Sequence, residues 1–255
     1  MFHMLYTLAF VAGAAAPGPT RILFVGNSLT YAGNLPAVFA ALAAENGKAV
    51  QTGLLVEGGA TLTQWLDSGA VQRALAGRHY DYMVLQERGD DFACGFGPKA
   101  CSDSRRALHE LARVVRAHGA RPILMGTYQT APAASRNIVA AESKASRAND
   151  VPYVAISGRF NEGHERFAHA DGFAKAGHPG HDPVLLEAVL LYRHLYGALP
   201  QAQGLEVRAP MFGPGGRFAP PAPPSEPLLP AVALAGGYDY SRNELAHAIE
   251  LANGR

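Results

Sequence analysis

The chain has 255 residues, 48% of them hydrophobic and 17% charged, with 22 Lys and Arg against 21 Asp and Glu. That length suffices for one α/β domain with a full core, and the composition is that of a soluble globular protein. A net charge of +1 argues against the basic footprint of a nucleic-acid binder.

The chain begins with an apolar run closing in small residues, "MFHMLYTLAFVAGAAAPGPT". Ala12-Gly13-Ala14 fits the A-x-A cleavage pattern, so residues 1–14 read as a signal peptide and the protein as exported; the alternative is an N-terminal arm. The run is too short to span a bilayer, and stable membrane insertion is not expected.

From there apolar runs alternate with helical patterns. The first strand, Arg21–Val25, runs into Gly26-Asn27-Ser28, where Gly26 allows a sharp turn and the small pair leaves Ser28 exposed. A helix over Leu35–Asn46 carries Pro36 in its first turn and Gly47 after its end. The strand Val50–Val56 leads into "VEGGATL", followed by a helical pattern over Leu62–Ala76. The strand Tyr80–Gln86 ends at Gln86-Glu87. Cys94 and Cys101 then flank "GFGPKA", a loop able to bring its ends together, and in an exported chain they pair. The helix Arg105–His118 puts Leu108, Leu111, Val114 and Val115 on one face, and Gly119 stops it.

The strand Pro122–Thr127, an alanine-rich helix over Ala133–Arg147 and the strand Pro152–Ile156 complete the alternation. "DGFAKAGHPGHDP", residues 171–183, precedes a strongly apolar helix, Val184–Tyr196. Residues 209–230 are about half Pro and Gly and form neither helix nor central strand. Ser241 and Glu244 make a capping box ahead of a final helix that Gly254 closes. The alternation implies a three-layer α/β/α sandwich on a five-stranded parallel sheet, flavodoxin-like. Residues 15–200 form that domain, and residues 201–255 are a strap and a helix docked on it.

A serine at a strand-to-helix turn sits at the carboxyl edge of such a sheet, where open α/β folds bind ligands. The glycines of residues 56–62 offer unobstructed N–H groups, Gln86 offers an amide donor, and residues 171–183 supply histidines. Each has a plain structural reading: a turn, a strand end, a helix cap. Trp65, Tyr31 and Phe92 are lining candidates for which core packing is the simpler role, and His164, His169, His181 and His194 read as surface or packing residues. His169, Asp171, His178, His181 and Asp182 also form a compact set that a zinc-dependent hydrolase would use.

The order of these blocks resembles the SGNH, or GDSL-like, hydrolase superfamily over residues 21–197. "VGNSLT" is similar to its first block, Gly59 in "GGAT" to its second, "VLQE" to its third, and His178-Pro179 to its late histidine motif. The third block usually has asparagine; glutamine occurs in the sialate O-acetylesterase branch. The usual acid three residues before the histidine is replaced by Lys175, and Asp171 stands seven residues before it. The resemblance implies a serine ester hydrolase with an acyl-serine intermediate and no cofactor. Ser28 would be the nucleophile and His178 the base, oriented by Asp171 or, in a dyad, by a backbone carbonyl. Ser28 N–H, Gly59 N–H and the Gln86 amide would form the oxyanion hole. The implied partners are small-molecule or glycan esters of short acyl groups, with water or another alcohol as acceptor. A non-catalytic glycan-binding module on the same fold is the alternative.

Overall fold

The structure is a computed structural model that describes residues 18–167, 173–174, 178–201, 204–212 and 237–254. Five parallel strands form its sheet: β1 (Thr20–Gly26), β2 (Val50–Val56), β3 (Tyr82–Gln86), β4 (Arg121–Met125) and β5 (Tyr153–Val154), in the order β2-β1-β3-β4-β5. This is the flavodoxin-type order, whose switch point lies between β1 and β3. Register is direct: Phe24 pairs with Leu54 on one side and Val84 on the other.

Alternation along β1 separates two cores, because successive side chains of a strand point to opposite faces. Ile22 and Phe24 pack with Leu35, Phe39, Leu185 and Val189. Leu23 and Val25 pack with Leu62, Trp65, Leu108 and Leu111. The first face is covered by α2 (Leu35–Glu45) and, further along the chain, by Ser157–Phe167, His181–Tyr196 and Arg242–Asn253. The second is covered by α3 (Leu62–Asp67), α4 (Ala70–Gly77), α5 (Pro98–Ala117) and α6 (Pro132–Ala148). Between β1 and α2 stands a single helical turn, α1 (Ser28–Tyr31). The three later helices are α7 (Ser157–Phe167), α8 (His181–Tyr196) and α9 (Arg242–Asn253).

Beyond shifts of one to three residues at other ends, three boundaries differ from the sequence reading, and α7 is an element it did not include. The pattern over Leu62–Ala76 is two helices, broken at Ser68-Gly69, where Gly69 adopts φ +68°. α5 begins at Pro98 rather than Arg105; a proline in the first turn costs no hydrogen bond, so the Gly/Pro-rich loop starts the helix instead of delaying it. β5 keeps only two paired residues of the expected Pro152–Ile156.

A short hairpin, β6 (Phe173–Ala174) with β7 (His178–Pro179), precedes α8. The tail adds an antiparallel pair, β8 (Leu205–Val207) with β9 (Tyr238–Tyr240). Ser241 and Glu244 form the expected capping box on α9, and Gly254 ends that helix at φ +80°. Leu245 and Leu251 are buried in the first core, so α9 packs on the domain. Gly33 N–H donates to the Phe212 carbonyl at 3.0 Å, and Asn34 Nδ2 to the Pro210 carbonyl at 2.7 Å. Those two bonds lay the start of the strap beside the turn after α1. The segment 213–236 and the expected signal peptide lie outside the described residues.

Cys94 and Cys101 are disulfide-bonded, with Cα atoms 4.8 Å apart. Among the described residues no helix is long and apolar enough to cross a membrane.

Candidate active site

β1 delivers Ser28 to the carboxyl edge of the sheet as the first residue of α1. Asn27 caps this turn: its Oδ1 accepts from Leu29 N–H at 3.0 Å. Its Nδ2 donates to the Ala60 carbonyl at 3.0 Å, which ties the glycine block to the serine turn. Trp65 Nε1 donates to the Gly26 carbonyl at 2.9 Å. Gly26 is required for space rather than for a turn, since a Cβ there would lie 2.3 Å from Thr30 Oγ1. The expectation that the small Asn-Ser pair leaves Ser28 open is corrected: Ser28 is only 8% exposed, because α1 folds back and β7 lies against it.

The histidine arrives from the opposite end of the domain. β7 holds His178 so that its Nε2 stands 2.8 Å from Ser28 Oγ, across 150 residues of sequence. When the hydroxyl donates, Nε2 accepts, and the proton of a neutral ring then sits on Nδ1. Nδ1 is buried with no hydrogen-bond partner among the described residues. Asp171, expected to face it, and Lys175 both lie outside the described residues.

Gly59 adopts φ +72°, is exposed, and a Cβ there would meet nothing within 4 Å. Its side-chain position therefore faces open space. Neighbouring Gly58 lies close to the Tyr31 hydroxyl, 3.2 Å from a built Cβ. Gln86, only 1% exposed, is packed at the end of β3. Its Oε1 accepts from Thr30 Oγ1 at 2.5 Å, and its Nε2 reaches the Gly126 carbonyl at 3.4 Å. The Gly126 carbonyl, which can only accept, fixes which end of the amide carries the hydrogens, and one amide hydrogen remains beyond that bond.

The next residue, Glu87, is fully buried; its Oε1 accepts from Leu62 N–H at 3.1 Å and Arg88 N–H at 2.8 Å. Burial pushes its carboxyl up to about 7, against smaller opposing effects from the Arg88 N–H, the Ser104 hydroxyl and the Leu62 N–H. Glu142 accepts from Thr127 N–H and Oγ1 and from the Tyr153 hydroxyl, and burial holds it at about 7 as well.

Asn27, Thr30 and Glu87 are the contributors the sequence reading passed over. A Thr two residues after the serine and a Glu after the glutamine were visible signals. Their partners, Gln86 and Leu62, were not. Trp65, Tyr31 and Phe92 are all core residues. The candidate zinc set comes apart where it is described: His178 turns to Ser28, whereas the His181 ring stacks on Tyr238 at 3.6 Å. Among the described residues no three His, Cys, Asp or Glu side chains are grouped to hold a metal ion; His169 and Asp171 lie outside them. A cleft of about 370 Å³ lies at the other, amino edge of the sheet, lined by Thr20, Arg21, Asp81 and Arg121 among others, away from Ser28.

No protein-family model matches this chain, and no curated protein matches it by sequence. Solved structures match it in fold. A candidate SGNH hydrolase from Slackia heliotrinireducens superposes with a TM-score of 0.60 at 23% identity, covering 70% of this chain and all of that one. The acetylxylan esterase Axe2 from Geobacillus stearothermophilus gives 0.57 at 14% identity, over 73% of this chain and 99% of its own. A lipase/acylhydrolase from Enterococcus faecalis gives 0.52 at 16%, over 72% and 99%. The chain has the fold of the SGNH hydrolases. These neighbours do not bear on the glutamine of the third block.

Proposed function

We propose that this protein is an exported serine ester hydrolase that acts through an acyl-serine intermediate on short-chain esters, acetyl esters of carbohydrates foremost. The observation that carries the reading is the 2.8 Å approach of His178 Nε2 to Ser28 Oγ at the carboxyl edge of an SGNH-type sheet. The fold neighbours support it, since they include an acetylxylan esterase and an acylhydrolase. Variants of that esterase at a serine, a histidine and an aspartate are named catalytic mutants. Export is supported by the apolar first sixteen residues and by the disulfide.

In this mechanism Ser28 Oγ attacks the ester carbonyl carbon while its proton passes to His178 Nε2. The carbonyl π electrons move to oxygen, giving a tetrahedral oxyanion. Ser28 N–H, Gly59 N–H and the remaining Gln86 amide hydrogen hold that charge. Collapse expels the alcohol, which takes the proton from His178 and leaves an acyl-serine. Water then attacks the acyl carbon, giving its proton to His178, and the acid departs as Ser28 is reprotonated. Asp171 orients the Nδ1–H of His178 in this scheme.

The test is labelling of the secreted protein with a fluorophosphonate, followed by peptide mapping and a p-nitrophenyl acetate assay. Modification at Ser28, and loss of hydrolysis in Ser28→Ala with an unchanged circular dichroism spectrum, are expected. Labelling elsewhere, or full activity in Ser28→Ala, overturns the reading.

A further inference from the structure

One loop at the same edge of the sheet is built in a way the ester chemistry does not require. After β3 the chain runs Arg88-Gly89-Asp90-Asp91-Phe92 into the disulfide-closed segment Cys94–Cys101. The segment carries two phenylalanines with opposite fates. Phe92 is wholly buried in the second core, whereas Phe96 is 55% exposed, the large hydrophobic residue that stands out to solvent among the described residues.

Phe96 is held in place by its surroundings. The Arg88 guanidinium lies over one face of its ring, 4.0 Å from the centroid, and a Cβ on Gly89 would touch the ring edge at 3.5 Å. Arg88 is itself fixed: Nε and Nη2 each donate to the Asp91 carboxylate at 3.1 Å, and that carboxylate is almost fully buried. Below them the loop closes on its own backbone. Ala93, Cys94 and Gly95 N–H groups bond back to Asp90 and Asp91, and Gly97 N–H to Cys94. A Cβ on Gly95 would overlap the Asp90 carboxylate, which would have to move aside. The Gly89 carbonyl takes the Thr127 hydroxyl at 2.6 Å, which pins the start of the loop to the end of β4.

The result is an aromatic ring that carries a charge-neutralised guanidinium on one face and is 55% exposed. Two of the five Arg88 N–H donors are committed to Asp91, which leaves three on the guanidinium that lies over the ring. An apolar face beside hydrogen-bond donors fits a ligand that has an apolar C–H face and hydroxyls on its rim, which is the chemistry of a pyranose. The pairing of Arg88 with Asp91 argues against an acidic ligand, since the positive charge is already matched. Arg88 lies two residues and Phe96 ten residues past the end of β3, the strand next to β1. The loop therefore leaves the sheet at the same carboxyl edge that carries Ser28.

We infer that Phe96 and Arg88 form a stacking subsite for one pyranosyl ring of a neutral glycan whose ester group lies at Ser28. The inference rests on the carbohydrate-ester reading above, and its test separates the two. Xylotetraose, cellotetraose and chitotetraose, none of which carries an O-ester, are titrated into the full-length protein by calorimetry, alongside Phe96→Ala and Phe96→Trp. Wild type binds one of the three. Phe96→Ala weakens that binding about tenfold, Phe96→Trp retains it, and p-nitrophenyl acetate hydrolysis is unchanged in both variants. Absence of binding to all three glycans overturns the subsite. So does binding that Phe96→Ala leaves intact, or an equal loss of p-nitrophenyl acetate hydrolysis, which makes the residue structural. Glycan binding that depends on Phe96 in a protein with no esterase activity keeps the subsite and removes the hydrolase reading.

Discussion

Replacing Glu87 by Gln tests how the floor of the candidate site is stabilised. Glu87 is fully buried, and burial raises its carboxyl from 4.5 to about 7. In the unfolded chain the group ionises near its ordinary value. Between pH 4.5 and 7 the folded state therefore holds the proton that the unfolded state releases. Stability falls as pH rises through that window, because the native state binds more protons there. The difference between 4.5 and about 7, at about 1.4 kcal/mol per pH unit, corresponds to about 3 kcal/mol, or roughly 6–12 °C in Tm for a domain of this size. Gln keeps the acceptor for Leu62 N–H and Arg88 N–H and cannot ionise, so Glu87→Gln removes this decline. Glu142, which the charge of Glu87 also raises, shows a second decline in the same window that becomes shallower in the Glu87 variant. The assay is thermal unfolding from pH 4.5 to 8 for wild type, Glu87→Gln and the double variant with Glu142→Gln. Parallel curves for wild type and Glu87→Gln would refute the reasoning.

Two further substitutions probe the elements that bring the histidine to the serine. Gly33 adopts φ +71°, and a Cβ there would lie 2.8 Å from Val184 Cγ2 on α8; Gly33→Ala is expected to cost about 1–3 kcal/mol, read as a fall in the urea midpoint, and to lower esterase turnover. An unchanged midpoint would show that α8 yields without cost. Glu187, in the same helix, is fully buried with no partner for either carboxylate oxygen among the described residues, and burial raises it well above the carboxylate range. Glu187→Met should raise stability by about 1–3 kcal/mol at pH 8, measured by denaturant unfolding, and a loss of stability at that pH would count against a burial penalty.

Much of this molecule was written locally. The strand Val50–Val56 has the bounds its apolar run suggested, and the capping box at Ser241 and Glu244 starts α9 where the sequence places it. Alternation of strands and helices restricted the topology to a parallel sheet, because right-handed crossovers leave few other arrangements. Such features depend on neighbours a few residues apart, so periodicity and turn chemistry expose them. The four-residue helix α1, the break at Gly69 and the helix α7 over Ser157–Phe167 escaped; the first two carry too few periodic positions to register.

The chain alone therefore named Ser28, Gly59, Gln86 and His178 as candidates and set them at one edge of a sheet. Whether hydroxyl and imidazole meet was decided by tertiary packing: α8 seats against α2 and the sheet, and β7 then carries His178 to Ser28 over 150 residues. The same packing gave Thr30 to Gln86, Asn27 to Ala60 and Trp65 to Gly26. Contacts of that separation depend on how whole faces interlock, and no local pattern of residues encodes the distance between them.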